Sequence, residues 1–230
     1  MEYWVFDNSS DMISIGLNNL EKEMGEDDFK KIEKRLFQMD FMCITDVLNR
    51  NNVDISDGQN LFLLLGNTLG NFEEDVLLER INSVMQENDF LLVDNQLKKP
   101  GKLALEDEKL LKEAYDTEDM KAYLYAILET ANIKEEDGSI EVVTDYSVKS
   151  RILQNDNCMT IKLNFVTNKA KRINIGNIST FLNKDTIILV IYSRKYTKVA
   201  LNTLLKVRFK FFDKHDFSTD KYALILCQKK

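Results

Sequence analysis

The most informative segment of the chain is Leu-Phe-Leu-Leu-Leu-Gly-Asn-Thr-Leu-Gly-Asn-Phe, residues 61–72. Its first five residues are all apolar, which is typical of a β-strand that is covered on both faces. Two glycines and two asparagines follow, and residues 73–86 then have the spacing of an amphipathic helix. Glycines let a ligand approach the backbone closely. Taken alone, the segment fits a ligand-binding turn and an ordinary asparagine-capped strand-to-helix turn about equally well.

Apolar strands alternate with helical patterns throughout the first hundred residues. The patterns predict strands at 3–6, 35–39, 61–65 and 90–93, helices at 11–24 and 73–86, and a helical turn at 45–49. Such alternation favours an α/β fold with a mostly parallel sheet. Ligands bind at the carboxyl ends of the strands in sheets of this kind. The residues predicted at those ends are Asp7, Asp40, Gly66 and Asp94.

The pattern changes after Pro100. Residues 103–131 are predicted to be helical in two pieces, and from residue 140 onward the chain is rich in strands, with one helix at 196–206. We therefore expect a partial Rossmann-like cofactor domain at 1–100, an inserted α+β substrate subdomain at 101–192, and a return to the sheet at 193–230. The last two strands, 207–212 and 222–227, would rejoin it as an antiparallel pair.

The composition disfavours several functional classes. Three scattered cysteines and a single histidine argue against a disulfide framework, a metal site and a Ser-His-Asp triad. The longest apolar runs are too short to span a bilayer, and the first residues do not resemble a signal peptide, so a cytoplasmic location without membrane attachment is expected.

Residues 1–150 carry 15 Lys and Arg against 33 Asp and Glu, whereas residues 151–230 carry 16 against 5. Because the basic residues alternate with apolar ones, nucleic acid is not an expected partner.

Several short motifs resemble, in order, those of the histidine-specific methyltransferase family, which includes the ergothioneine-pathway enzyme. Only the 61–72 segment is specific by itself; it resembles the family's Leu-Gly-Ser-Thr-Ile-Gly-Asn-Phe. The other motifs support the resemblance only because they occur in the same order as in the family. They are Tyr-Trp-Val-Phe-Asp (3–7), Met-Asp-Phe (39–41), the stretch 89–100, Ala-Tyr-Asp (114–116) and Tyr-Ser-Arg-Lys-Tyr (192–196).

The resemblance implies a class I, Rossmann-like fold and transfer of a methyl group from S-adenosylmethionine to a nitrogen. Asp7 would accept hydrogen bonds from the ribose and Asp40 would meet the adenine amine, with Phe41 packing nearby. The implied cofactor residues are Asp7, Asp40, Phe41, Gly66, Asn67 and Thr68, and the implied substrate residues are Asn71, Tyr115 and Ser193. The reaction needs mainly a neutral amine held in line with the methyl group.

Two features depart from the family pattern. The glycine-rich cofactor loop and the strand before it have no counterpart in residues 1–230, so the sheet is expected to be N-terminally incomplete. A truncated start, a complementing polypeptide or a homodimer at the missing strand would account for this. In addition, Ile191 stands where the histidine-binding enzymes have a glutamate, which argues against histidine and leaves an amino-acid-like or other small amine. The alternative function is a catalytically degenerate methyltransferase-like subunit that binds or regulates.

Overall fold

The predicted alternation of strands and helices is present in the computed structural model, which describes residues 2–50, 58–147, 153, 157–216, 219 and 221–230. The strands are β1 (Glu2–Asp7), β2 (Glu33–Gln38), β3 (Leu61–Leu64), β4 (Phe90–Gln96), β5 (Gly138–Asp145), β6 (Cys158–Thr167), β7 (Lys171–Ile175), β8 (Ile178–Leu182), β9 (Ile187–Tyr196), β10 (Phe209–Asp216) and β11 (Tyr222–Lys229). The helices are α1 (Ser10–Met24), α2 (Glu26–Lys30), α3 (Ile44–Arg50), α4 (Glu74–Val84), α5 (Leu105–Tyr115), α6 (Glu118–Glu129) and α7 (Lys198–Lys206).

Strands β1 and β2 pair in parallel, and helices α1 and α2 connect them. The helix begins where the sequence predicts, because the Ser9 side chain caps it by accepting a hydrogen bond from the Met12 N–H. Asp7 lies opposite Gln38 in the register, so the ends of the two strands lie side by side. Asp7 and Asp40 are therefore at the same edge of this small sheet.

The central sheet has the order β10-β11-β4-β3. Strands β3 and β4 are parallel, whereas β11 is antiparallel to β4 and β10 is antiparallel to β11, which confirms the predicted return of the last two strands. In the described ranges as a whole, two strand pairs are parallel and five are antiparallel. A mostly parallel sheet is thus not confirmed, and the incompleteness of its N-terminal side stays a prediction.

The central sheet has one covered face and one open face. On the covered face, Leu64, Leu91 and Val93 are buried in a core that α4 and α7 share. On the open face, Leu61 is 56% exposed and Leu63 is 45% exposed. The prediction that this strand is covered on both faces is therefore wrong, because both of the helices that share its core pack on the same side.

An α+β unit follows the fourth strand. Strands β5, β6 and β9 form an antiparallel sheet, and α5 and α6 pack on the face that carries Met159, Ile161 and Leu163. The two helices break at 116–117, and the sequence pattern predicts a break near 116–118. Helix α2 and the β7–β8 hairpin are not predicted. Strand β9 continues through the expected domain boundary at 192/193 and joins the central sheet by a bridge between Tyr196 and Leu97. No helix in the described part of the chain is long and apolar enough to cross a membrane.

Candidate functional site

Asp7 and Asp40 each use one carboxylate oxygen to hold the turn that follows their strand. Asp7 Oδ1 accepts a hydrogen bond of 2.8 Å from the Ser9 N–H, and Asp40 Oδ1 accepts one of 2.9 Å from the Met42 N–H. The second oxygen of each carboxylate has no hydrogen-bond partner among the described residues. Both remain able to accept hydrogen bonds from a ligand. The side chain of Phe41, predicted to pack beside Asp40, lies outside the described part of the structure.

The turn after β3 is shaped by two residues with left-handed backbone. Gly66 has φ +74° and Asn67 has φ +61°. The Asn67 N–H donates to Asp94 Oδ1 at 3.1 Å, which fixes the turn beside the end of β4. A Cβ atom added to Gly66 would meet no atom within 4 Å, so the space beside this residue is open. The turn is therefore able to admit a ligand close to the backbone.

The Asn67 side chain connects the turn to β9. Its Nδ2 donates to Ser193 Oγ at 3.0 Å, while its Oδ1 accepts from Asn95 Nδ2 at 2.7 Å and from the Gln96 N–H at 3.1 Å. Thr68 is also engaged, since its hydroxyl donates to the backbone of Leu65. The Asn67 side chain is thus occupied by β9 and β4 and the Thr68 hydroxyl by the turn itself, and contact of either residue with a cofactor stays a prediction.

The 3-10 turn Thr68–Asn71 lies directly against β9. A Cβ atom added to Gly70 would sit 2.3 Å from the carbonyl oxygen of Arg194, which is closer than real Cβ atoms approach backbone. Gly70 is thus required for the close packing of the two motifs, a role that the sequence does not reveal. Asn71 ends the turn and is exposed.

A buried ionic network, also missed from the sequence, lies on one side of β9. Arg194 pairs with Glu74 and, at 3.2 Å, with Glu73, while the Tyr196 hydroxyl donates to Glu74 at 2.6 Å. Burial, followed by the nearby Glu74 charge, raises the pKa of Tyr196 well above its ordinary value. Burial alone would lower the pKa of Arg194, but the two carboxylates raise it. In the sequence the network consists only of two adjacent glutamates and a distant arginine, and nothing in the pattern indicates that these residues pair.

Ser193 and Lys195 lie on the opposite side of β9, which faces α5. Ser193 is buried and pairs with Ile161 in the register, and Lys195 pairs with Met159. The Lys195 ammonium lies 5.7 Å from the ring centroid of Tyr115 at the end of α5. The predicted substrate residues Tyr115 and Ser193 therefore lie on the same side of β9.

The structure thus brings the predicted residues together in groups, Asp7 with Asp40 and Gly66–Asn67 with Ser193, whereas Tyr115 lies beside Lys195, which is not a predicted site residue. Two surface cavities, of about 320 and 400 Å³, are lined by other residues of α5, α6 and β5. Within the described ranges, no cluster of three or more His, Cys, Asp or Glu side chains is arranged to hold a metal ion.

Comparison with known proteins finds one family whose model matches nearly the whole chain, residues 1–229, and which is described as histidine-specific, S-adenosylmethionine-dependent methyltransferase. No curated protein matches. An S-adenosylmethionine-dependent methyltransferase from Clostridium acetobutylicum ATCC 824 is 13% identical with a TM-score of 0.42, and the aligned region covers all of this chain and 75% of that one. A protein from Pyrococcus horikoshii OT3 is 13% identical with a TM-score of 0.41, covering all of this chain and 74% of that one. On the strength of the family match, the chain belongs to the histidine-specific, S-adenosylmethionine-dependent methyltransferases.

Proposed function

We propose that the chain is an N-methyltransferase with a class I, Rossmann-like cofactor site, acting on an amino-acid-like or other small amine. The observation that carries the proposal is the 3.0 Å contact between Asn67 and Ser193. It joins two motifs that are more than a hundred residues apart in sequence. The approach of Tyr115 to Lys195 adds a third motif from the same family pattern. Convergence of distant motifs is expected of a shared site and is not needed for a turn or a helix start alone.

The residues at the strand ends suit S-adenosylmethionine. The free carboxylate oxygens of Asp7 and Asp40 would accept hydrogen bonds from the ribose hydroxyls and the adenine amine. The open space beside Gly66 would admit the cofactor next to the backbone. When bound, the cofactor supplies a methyl group attached to a positively charged sulfur. The chain's own contribution is to bind and orient the two reactants.

The substrate would lie between the 3-10 turn and the α5-facing side of β9, within reach of Asn71, Tyr115 and Ser193. Ile191 lies in the same row of β9 and packs against the apolar cluster around Met159. An apolar side chain in apolar surroundings cannot form an ion pair with the protonated imidazole ring of a histidine substrate. This supports a substrate other than histidine.

Titration of the full chain with S-adenosylhomocysteine by calorimetry tests the proposal. We expect binding, and we expect Asp7→Ala to weaken it about tenfold, since the variant removes a carboxylate that accepts hydrogen bonds. Asp11→Ala is a matched control on the exposed surface of α1. Absence of binding, alone and with the partner proposed below, would favour the degenerate binding subunit. Unchanged affinity in Asp7→Ala would mean that the cofactor lies elsewhere.

We also propose that a β-strand supplied by another polypeptide binds at the free edge of β3. In the part of the chain that the structure describes, β3 pairs only with β4, and its exposed leucines adjoin that edge. An unpaired apolar edge is a template for strand addition. Light scattering of the chain, alone and mixed with the product of an adjacent reading frame, tests this. A heteromeric complex is expected; a homodimer of the chain alone, or a monomer in both samples, would contradict it.

A further inference from the structure

The cofactor site proposed above draws its residues from two separate sheets. Asp7 and Asp40 follow β1 and β2, whereas Gly66 follows β3 of the central sheet. Within the described ranges, no pairing of strands joins these two sheets. A ligand that contacts both of them binds more tightly if their relative position is already fixed, because freedom that is lost on binding lowers the affinity. The contacts that connect the two sheets therefore matter for binding of the cofactor.

One such contact is made by Arg80, a half-buried residue of α4. Its Nη1 donates a hydrogen bond to the carbonyl oxygen of Met42, in the turn that follows β2. The side chain of Met42 also packs against the core that α4 and α7 share. Two different contacts thus attach the same residue of this turn to the unit that is built around the central sheet.

Met42 and the residue after it also hold Asp40. The Met42 N–H donates to Asp40 Oδ1 at 2.9 Å, and the Cys43 N–H donates to the carbonyl oxygen of Asp40 at 2.8 Å. The peptide group between Met42 and Cys43 is planar, so a hydrogen bond that fixes its carbonyl group also orients its N–H. Since Asp40 is exposed, these contacts limit the conformations that it can adopt. The contact from Arg80 is therefore passed on to Asp40 through one rigid group.

Arg80 differs from the other half-buried arginines that the structure describes. Arg35, Arg194 and Arg208 each pair with two carboxylates. Arg80 pairs with no carboxylate in the described part of the chain and donates to a backbone carbonyl instead. A hydrogen bond from a charged donor is stronger than one between neutral groups. The contact of Arg80 is thus suited to holding the backbone of the turn, and it neutralises no charge.

We infer that Arg80 is a positioning residue for the adenine end of the cofactor, because it holds the turn that orients the Asp40 carboxylate. The inference rests on the proposed function, in which Asp40 accepts a hydrogen bond from the adenine amine. Asp7, the proposed ribose partner, is held by the Ser9 N–H in its own turn. Loss of the Arg80 hydrogen bond should therefore weaken recognition of the adenine amine more than binding of the rest of the cofactor.

Two ligands that differ at the adenine amine test the inference. S-inosylhomocysteine has a carbonyl oxygen where S-adenosylhomocysteine has the amine, so it cannot donate a hydrogen bond to Asp40 from that position. Calorimetry on the wild-type chain is expected to show a preference of about tenfold for S-adenosylhomocysteine. In Arg80→Met, which keeps an apolar stem and loses every donor, the preference should fall to about twofold. Arg80→Lys keeps a donor and should retain most of the preference.

The preference separates positioning from a general loss of structure. It is the ratio of two affinities in the same variant, and a smaller folded fraction lowers both affinities by the same factor. Arg208→Met is the matched control, because Arg208 also contacts α4, where it pairs with Asp75 at 3.4 Å and with Glu79 at 3.0 Å. This variant loses ion pairs to the same helix and should keep the wild-type preference.

The inference and the proposed function fail in different ways. If the wild-type chain binds neither ligand, alone and with the proposed partner, both are rejected. If it binds the two ligands equally well, the cofactor site stands, but Asp40 does not receive the amine and the inference is overturned. If Arg80→Met keeps the wild-type preference, the Asp40 turn does not depend on Arg80, and only the inference is overturned.

Discussion

The two faces of the central sheet have the same apolar character in sequence but very different environments. Leu91 and Leu92 are neighbours on β4, yet Leu91 is fully buried under α4 and α7, whereas Leu92 is only half-buried on the other face. On β3, Leu64 and Leu63 show the same contrast. Burial of apolar surface is the main source of folding free energy. Stability should therefore come mostly from the covered face, while the open face is available for association.

Among the substitutions, Leu91→Ala should cause the largest loss of folding stability. Removing a fully buried leucine side chain leaves a cavity in the core, and we expect the free energy of unfolding to fall by about 4 kcal/mol. Chemical denaturation measures it. The matched change on the open face, Leu92→Ala, should cost less than half as much. Equal losses would show that the open face is as well packed as the covered one.

Glu74→Gln tests the ionic network that ties α4 to β9 on the covered side. The variant leaves Arg194 without its buried carboxylate and weakens the hydrogen bond from Tyr196. Breaking one side of a buried pair is costly, and we expect a loss of about 3 kcal/mol in the same denaturation assay. Glu73→Gln removes an exposed partner of the same arginine and should change stability by less than about 0.5 kcal/mol. A similar loss in both variants would mean that burial does not decide the strength of this pair.

Gly70→Ala tests the close approach of the 3-10 turn to β9. The added methyl group would collide with the Arg194 backbone, so the turn must move, at a cost of about 2 kcal/mol. Gly16→Ala is the control, because a Cβ atom there meets nothing within 4 Å and the residue lies inside α1. It should stabilise the chain by about 0.5 kcal/mol. If Gly70→Ala left the free energy of unfolding unchanged, the close contact between the 3-10 turn and β9 would not be needed for stability.

Local patterns predict most of the elements of this fold. The apolar run in β3 and the Ser9 cap of α1 are signals that depend only on neighbouring residues. The β7–β8 hairpin is missed although the Gly-Asn pair at 176–177 between its strands is a hairpin signal. The isoleucines on either side of the turn, Ile175 and Ile178, face solvent and so do not form an apolar face that predicts burial. The apolar run of β3 does not show which of its faces lacks a helix, since coverage depends on where distant segments pack.

For the candidate site, too, local sequence patterns do not predict which distant residues come into contact. Order along the chain identifies Asp7, Asp40 and Ser193 as members of motifs, but their partners lie far away in sequence. Asn67 is predicted to bind a cofactor, and only the fold reveals that its amide is occupied by Ser193. Lys195 belongs to the 192–196 motif in the sequence, and only the fold shows that its side chain is buried. Sequence thus locates the motifs, and packing decides which side chains remain free for a ligand.

The smallest loss of stability is expected from the double substitution Leu61→Thr and Leu63→Thr on the open face. Both side chains are about half exposed, and threonine keeps the preference for a strand, so the isolated chain should lose less than about 1 kcal/mol. The same variant should bind less anilinonaphthalene sulfonate, a dye that reports exposed apolar surface, and should bind the proposed partner strand more weakly. Ser179→Thr, at an exposed position on β8, is the control for dye binding. A large loss of stability in the isolated chain would instead mean that this face is already covered, and the contrast between the two faces would disappear.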